Sequence, residues 1–152
     1  MSFDLLIRNG QVVDSTSSLP PQATDLAIDQ GKICALARPG QLAAQATRVI
    51  DASGLYVLPG MIDPHVHINN RVAGSIRGGF QLTSLAAIHG GTTTFFDFTT
   101  PLQGAELLQS IDQQRKEADG AVFSDYCLHG GISPMEPKEL WQIEEAVRRG
   151  FP

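Results

Sequence analysis

The stretch Leu58-Pro59-Gly60-Met61-Ile62-Asp63-Pro64-His65-Val66-His67 links an apolar run, Leu55–Ile62, to two histidines. A nearly continuous apolar run is typical of a strand that is buried on both faces, as in a parallel sheet. Side chains two residues apart in a strand point to the same side, so His65 and His67 are predicted to project together from the end of this strand. Two converging imidazoles suit one metal ion. We therefore predict that His65 and His67 are metal ligands.

Strand and helix patterns alternate after the histidines. Apolar residues at helical spacing predict helices over Gly78–His89 and Gly104–Asp119, and β-branched and aromatic residues predict a strand over Thr92–Phe98. Another strand is predicted over Ala121–Leu128, followed by a helix that begins at the capping box Ser133-Pro134-Met135-Glu136. Such strand–helix units favour a parallel sheet, either open and doubly wound or closed into a barrel. A barrel needs about 250 residues, so this chain would hold only the first half of one.

Each predicted helix carries apolar residues that would form one buried face. These residues are Phe80, Leu85 and Ile88 in the first helix, Leu107, Leu108, Ile111 and Ala118 in the second, and Leu140, Ile143 and Val147 in the third.

The first 54 residues have the pattern of short strands separated by turns. Asn9-Gly10, between the apolar stretches Leu5–Ile7 and Val12–Val13, predicts a hairpin. Asp25–Asp29 and Lys32–Leu36 predict two further strands joined by a turn. We therefore predict two domains: residues 1–54, a small antiparallel sheet or sandwich, and residues 55–152, three strand–helix units of a parallel sheet.

Composition restricts the possible partners and the cellular location. The 152 residues include eleven Lys and Arg against sixteen Asp and Glu, with a net charge of -5, and they form no basic stripe that would attract nucleic acid. No apolar run approaches the ~20 residues of a membrane helix, and the start of the chain lacks a signal-peptide pattern. Cys34 and Cys127 are too few for a disulfide framework and are interpreted as buried, reduced thiols. These features predict a soluble, cytoplasmic protein with no nucleic-acid or membrane partner.

Three motifs in this order resemble the metal-dependent amidohydrolase superfamily, in its cyclic-amidohydrolase branch of hydantoinases and dihydropyrimidinases. They are the run Leu58–His67, the segment Gly90–Phe98 (GGTTTFFDF), and the segment Asp125–His129 (DYCLH). The resemblance implies an α/β fold in which the first half of a (β/α)8 TIM barrel of amidohydrolase type follows part of a small β-sandwich. It also implies that relatives are commonly homotetramers.

The resemblance further implies a site with two divalent metal ions, usually Zn2+, in which His65 and His67 bind the more buried ion. A carboxylated lysine that bridges the ions is expected just after Pro152, where we expect the protein to continue. The remaining ligands and a general acid/base aspartate come from later strands, so the catalytic residues lie beyond the chain end. The implied reaction is hydrolysis of a cyclic amide C–N bond by a metal-activated hydroxide, which opens a hydantoin or dihydropyrimidine ring to an N-carbamoyl amino acid.

Other polar residues near the predicted strand ends allow more than one interpretation. Asp63 shares a face with His65 and would either orient an imidazole or accept a hydrogen bond from backbone at the strand end. Asn69 faces the same pocket and is a candidate substrate-binding residue. For Asp97 a buried structural hydrogen bond is favoured over a catalytic role. His129 is either a pocket residue or, more simply, a structural histidine, and His89 is expected to complement a helix dipole.

The substrate and even the enzymatic role have alternatives. Dihydroorotases of this superfamily usually have arginine at the position of Asn69, which argues against that activity. Allantoinases often have the pattern His-x-His-Ile-Asn that occurs here, so allantoin is an alternative substrate. The loop Asn70–Arg77 departs from hydantoinases, in which it helps to form the substrate gate. A non-catalytic, dihydropyrimidinase-like scaffold is the other alternative, although such proteins typically lose the metal-binding histidines.

Overall fold

The computed structural model describes residues 2–14, 20–42, 45–68, 78–99, 106–132 and 137–151. The chain divides into two compact units, an N-terminal unit, Met1–Pro59, and a C-terminal unit, Gly60–Pro152. Within the described ranges, no helix is long and apolar enough to cross a membrane.

The N-terminal unit is a mixed β-sheet built around its first strand. Its strands are β1 (Ser2–Val12), β2 (Gln22–Asp29), β3 (Lys32–Ala37), β4 (Gln45–Asp51) and β5 (Tyr56–Val57). The order is β3-β2-β1-β4, and β5 also pairs with β1. β1 pairs antiparallel with β2 but parallel with β4 and β5. The prediction of an antiparallel sheet is therefore correct for the first three strands and wrong for the last two.

The predicted hairpin at Asn9-Gly10 is wrong, because both residues lie inside the continuous strand β1. A two-residue hairpin of this type needs positive φ at both turn residues, whereas only Asn9 has one, at 61°. The single left-handed residue shifts the pairing register between Ile7 and Gly10 instead. Gly10 serves close packing, since a Cβ there would lie 2.5 Å from Cγ2 of Val57.

The predicted strand over Leu55–Ile62 is two strands. Tyr56–Val57 pairs with β1, whereas β6 (Met61–Val66) belongs to the C-terminal unit. Pro59 cannot donate a ladder hydrogen bond, and the chain passes so close to Thr93 at Gly60 that a Cβ would lie 2.0 Å from the threonine Oγ1. The division between units therefore falls after residue 59, five residues later than the predicted domain boundary.

The C-terminal unit alternates strands and helices, as its sequence pattern predicts. After β6 come α1 (Gly79–His89), β7 (Thr92–Phe98), α2 (Leu107–Ala118), β8 (Asp125–His129), a short 3-10 helix (Pro137–Glu139) and α3 (Trp141–Arg148). The strands form a sheet of order β6-β7-β8, and both pairings are parallel. The predicted start of the third strand at Ala121 is four residues early, and the capping box over 133–136 lies outside the described residues.

The predicted buried face is confirmed in full only for α2. Leu107, Leu108, Ile111 and Ala118 are all buried. α1 instead buries Phe80 and Ser84, and α3 buries Gln142 and Ala146. Four residues of the predicted faces of these two helices are exposed: Leu85, Ile88, Leu140 and Val147. Ile143 is half-buried and packs against the buried residues of α2.

The unexpected buried polar residues satisfy backbone groups of neighbouring segments. Oε1 of Gln142 accepts a hydrogen bond of 3.1 Å from the Leu108 N–H, which lies in the first turn of α2. Such N–H groups have no partner within their own helix. Ser84 Oγ accepts from the Phe123 N–H at 3.1 Å and donates to the Gln81 carbonyl. An apolar side chain in place of Gln142 would leave the buried Leu108 N–H without its partner.

Candidate metal centre

The two predicted ligands lie at the carboxyl end of β6, beside an irregularity in the strand. The register between β6 and β7 shifts between Asp63 and Val66, and Pro64 in this interval has no N–H to donate. The His65 N–H donates to Oδ1 of Asp63 at 3.1 Å. Asp63 therefore makes the backbone contact, which is one of its two predicted roles, and supports the position of His65 through the main chain.

The imidazoles of His65 and His67 converge, and both side chains are exposed. Their Nε2 atoms are 3.2 Å apart, and their rings meet edge to face with centroids 5.1 Å apart. Two nitrogens at about 2.0–2.1 Å from one tetrahedral zinc ion lie about 3.3 Å from each other. The pair therefore fits a shared divalent ion. The same separation also permits a hydrogen bond when one Nε2 carries a proton and the other does not.

The two histidines do not form a complete coordination sphere with other described residues. Over the ranges that the structure describes, no group of three or more His, Cys, Asp or Glu side chains is arranged to hold a metal ion. Asn69, the predicted substrate-binding residue, and the loop Asn70–Arg77 lie outside the described residues. Within the described residues, the two imidazoles therefore offer two nitrogen donors.

Aromatic rings from β7 and β8 surround the histidine pair. The ring centroid of Phe98 lies 4.4 Å from that of His65 and 5.4 Å from that of His67. The imidazole of His129 lies 4.7 Å from Phe98 and 5.2 Å from Phe96. Phe98 and His129 are paired residues of adjacent parallel strands. The sequence pattern did not single out Phe98 among the phenylalanines of the predicted strand Thr92–Phe98, although it is the last residue of that strand.

Asp97 is fully buried beneath this site and has a structural role, as predicted. Its Oδ1 accepts a hydrogen bond of 2.9 Å from the N–H of Ile68, the residue after His67, and its Oδ2 accepts from the side-chain amide of Gln114 on α2. Burial raises the pKa of the Asp97 carboxyl, and these hydrogen bonds oppose that shift. Asp97 therefore ties the chain that leaves the histidine pair to β7 and α2.

Thr99 holds the end of β8 against the end of β7. Its N–H and its hydroxyl both donate to the His129 carbonyl, at 2.9 and 3.1 Å, and its hydroxyl accepts from the Gly131 N–H at 2.9 Å. These bonds fix the backbone of His129, whose ring is half-buried between two phenylalanines. His129 thus borders the site, whereas His89 is exposed at the end of α1.

The cysteine prediction is partly wrong. Both thiols are free, but Cys34 is exposed and Cys127 is half-buried. Cys34 lies on β3, at the end of the sheet order, where one side of the strand has no described neighbour. Alternation along a strand cannot distinguish such an edge from a covered face.

Comparison with known proteins identifies the family of this chain. Residues 56–149 match the model of the amidohydrolase family. The chain is 35% identical to D-hydantoinase of Geobacillus stearothermophilus over 93% of its length, and 37% identical to dihydropyrimidinase of Rattus norvegicus over 85%. The crystal structure of dihydropyrimidinase from Brevibacillus agri NCHU1002 covers 96% of the chain with a TM-score of 0.83 and 34% identity. The chain therefore belongs to the amidohydrolase family.

The family assignment confirms the predicted fold class and implies a divalent metal cofactor. The β-rich start followed by parallel strand–helix units is the start of an amidohydrolase TIM-barrel fold. The chain spans only 29% of the D-hydantoinase, 25% of the dihydropyrimidinase and 31% of the chain in the crystal structure. The activity of the whole protein is therefore a proposal.

Proposed function

We propose that the protein to which this chain belongs hydrolyses a C–N bond of a cyclic amide or ureide, opening a hydantoin or dihydropyrimidine ring to an N-carbamoyl amino acid. The observation that carries the proposal is the pair of imidazoles with Nε2 atoms 3.2 Å apart at the carboxyl end of β6. Active sites of (β/α)8 enzymes assemble at this end of the strands. The hydantoinase and dihydropyrimidinase relatives supply the substrate class.

His65 and His67 would hold one of two divalent ions, which we propose to be Zn2+. Imidazole nitrogen is a ligand that zinc prefers, and a catalytic site keeps a coordination position open to water or substrate. When bound, such ions lower the pKa of water and polarise a carbonyl oxygen. A carboxylated lysine and further ligands are proposed to come from segments outside this chain.

Residues of this chain would prepare the site rather than transfer the proton. Asp63 supports His65 through its backbone N–H, and Asp97 holds the backbone immediately after His67. Asn69 is proposed to contact the substrate from the same face as the histidines. The general acid/base is proposed to be an aspartate of a later strand, so catalysis would need the whole barrel.

The test is an assay of the full-length, metal-loaded protein with hydantoin, dihydrouracil and allantoin. We expect turnover of hydantoin or dihydrouracil, with loss of activity on treatment with a chelator and recovery when Zn2+ is returned. Turnover of allantoin alone would replace the proposed substrate by the allantoinase alternative. No turnover of any substrate by protein that has bound metal would refute the hydrolase and favour the scaffold alternative.

We also propose a cytoplasmic homotetramer as the working form. The relatives that define the substrate class act on small molecules, and no nucleic-acid or membrane partner is proposed. Sedimentation of the full-length protein tests the assembly, and a species smaller than a tetramer at micromolar concentration would contradict it.

A further inference from the structure

The rings of His65 and His67 have few hydrogen-bond partners among the described residues. A metal-binding histidine almost always donates its second ring N–H to a carboxylate, a carbonyl or water, and this bond fixes the ring. Here the Nε2–Nε2 contact is the only ring hydrogen bond that either His65 or His67 makes within the described part of the chain. The nearby carboxylate of Asp63 bonds a backbone N–H instead. Packing against a neighbouring aromatic ring is another contact that restricts the rotation of an imidazole.

Phe98 makes that contact. Its ring lies 4.4 Å from His65 and 5.4 Å from His67 between centroids, at interplanar angles of 39° and 41°. The longer distance lies within the roughly 4.5–7 Å of favourable aromatic contacts, and the shorter lies at its lower limit. The phenyl ring is itself restrained by His129, whose centroid lies 4.7 Å away and whose backbone Thr99 holds through two donated hydrogen bonds. One phenyl ring therefore contacts three imidazoles.

We propose that Phe98 is a positioning residue for the metal-binding pair: its ring holds the imidazoles of His65 and His67 in the orientation in which their Nε2 atoms converge. Its packing supplies the restraint that a hydrogen bond donated by the second ring N–H usually gives. The proposal rests on the metal-binding role given to the two histidines in the proposed function.

Phe96 provides a matched control two residues earlier on the same strand. Its ring stacks on His129 at 5.2 Å but makes no aromatic contact with His65 or His67 in the described structure. Substitutions at Phe96 and Phe98 therefore remove the same ring from the same strand face, and only the second removes a contact to the metal-binding pair.

The experiment compares Phe98→Leu, Phe98→Tyr and Phe96→Leu in the full-length protein. The dissociation constant for Zn2+ is measured by competition with a chelator, and the d–d absorption of the Co2+-loaded protein reports the coordination geometry. We expect Phe98→Leu to weaken Zn2+ binding about tenfold and to alter the Co2+ spectrum. We expect Phe98→Tyr, which keeps the ring, and Phe96→Leu to stay within about twofold of the wild type.

The proposal is overturned if Phe98→Leu binds Zn2+ as tightly as the wild type, or if Phe96→Leu weakens binding equally. A second measurement, on metal-free wild-type protein, applies even if Phe98→Leu does not fold: NMR should show His65 and His67 each in one ring orientation. Rings that exchange freely without metal would overturn the proposal.

The metal measurements also separate this inference from the proposed function. Wild-type protein that binds no Zn2+ would refute the metal site and with it both proposals. Wild-type protein that binds Zn2+ but hydrolyses none of the three substrates would refute the reaction, while the binding series would still decide the role of Phe98.

Discussion

Among the described residues, each unit of the chain buries one carboxylate completely, Asp25 in the N-terminal unit and Asp97 in the C-terminal unit. Asp25 accepts hydrogen bonds from the N–H groups of Asn9 at 2.9 Å and Gly40 at 2.8 Å. Both donors have left-handed backbone, with φ of 61° and 79°. Asp97 accepts from the Ile68 N–H and from Gln114. Both carboxylates thus accept hydrogen bonds from N–H groups outside the strand pairing of the sheets.

The two carboxylates differ in what lies next to their partners. Asp25 fixes the irregularity in β1 and the turn after β3, both within the N-terminal unit. Asp97 fixes the residue that directly follows His67. The same chemistry therefore stabilises only the fold in one unit, and both the fold and the metal-binding pair in the other. Substitutions can test this difference.

Removal of a metal ligand should give the largest effect and leave the N-terminal unit unchanged. We expect His67→Ala to reduce Zn2+ affinity and activity of the full-length protein by more than the roughly 10–100-fold typical of removing a ligand's hydrogen-bond partner. His89→Ala is the matched control, because His89 is exposed at the end of α1. Equal losses in both variants, measured by chelator competition and turnover, would contradict the assignment.

Asp25→Ala should give the next largest effect, on stability alone. The substitution removes a fully buried carboxylate that accepts from half-buried Asn9 and exposed Gly40, and loss of a buried hydrogen-bonding group costs about 1–3 kcal/mol. We expect the free energy of unfolding in urea to fall by about 3 kcal/mol, with Zn2+ affinity unchanged. Weaker metal binding in a variant that remains folded would contradict a role of Asp25 in stability alone.

Asp97→Asn should produce a smaller effect, but one on metal binding. Asn can still accept from the Ile68 N–H, and Gln114 can rotate its amide to present an oxygen, so we expect a stability loss of about 1 kcal/mol. The negative charge near His67 is lost, and we expect Zn2+ binding to weaken by up to about tenfold. Asp125→Asn, at an exposed carboxylate on β8, is the control. Equal Zn2+ affinities in the two variants would refute the expected effect of Asp97 on metal binding.

The sequence predicted the features of the fold and site that follow from hydrophobic periodicity and from short motifs. The position of His65 and His67 at a strand end follows from the apolar run before them, and the buried face of α2 follows from its helical spacing. The parallel order of β6, β7 and β8 follows from the alternation of strands and helices.

The features that the sequence did not predict depend on contacts between distant residues. Asn9-Gly10 has the sequence of a hairpin, but Asp25 captures the Asn9 N–H and the strand continues through a bulge. The burial of Gln142 was not predicted, because its side chain is polar. It is buried where its Oε1 accepts a hydrogen bond from the first turn of α2. In the sequence, Phe98 is indistinguishable from other phenylalanines of a strand. Its contacts with three imidazoles are visible only in the structure.

An exposed carboxylate should show the smallest effect. Asp119 accepts a hydrogen bond from the Tyr126 hydroxyl, and its side chain is 59% exposed. Burial of the tyrosine, followed by the hydrogen bond and charge of Asp119, raises the pKa of Tyr126 to about 12. Because this value exceeds the ~10 of an unfolded tyrosine, folding favours the protonated phenol. That contribution to stability is complete below pH 10 and is lost as the pH rises through about 12.

For Asp119→Asn we expect the pKa of Tyr126 to fall but to stay above ~10, because burial is the larger cause and persists. The phenolate absorbance measured against pH gives this value, and Tyr126→Phe identifies which part of the signal belongs to Tyr126. The stability change at neutral pH should be below about 0.5 kcal/mol, since solvent screens so exposed a pair. An unchanged Tyr126 pKa would show that Asp119 has no influence. A stability loss as large as that of Asp25→Ala would show that burial does not separate the structural carboxylates from the others.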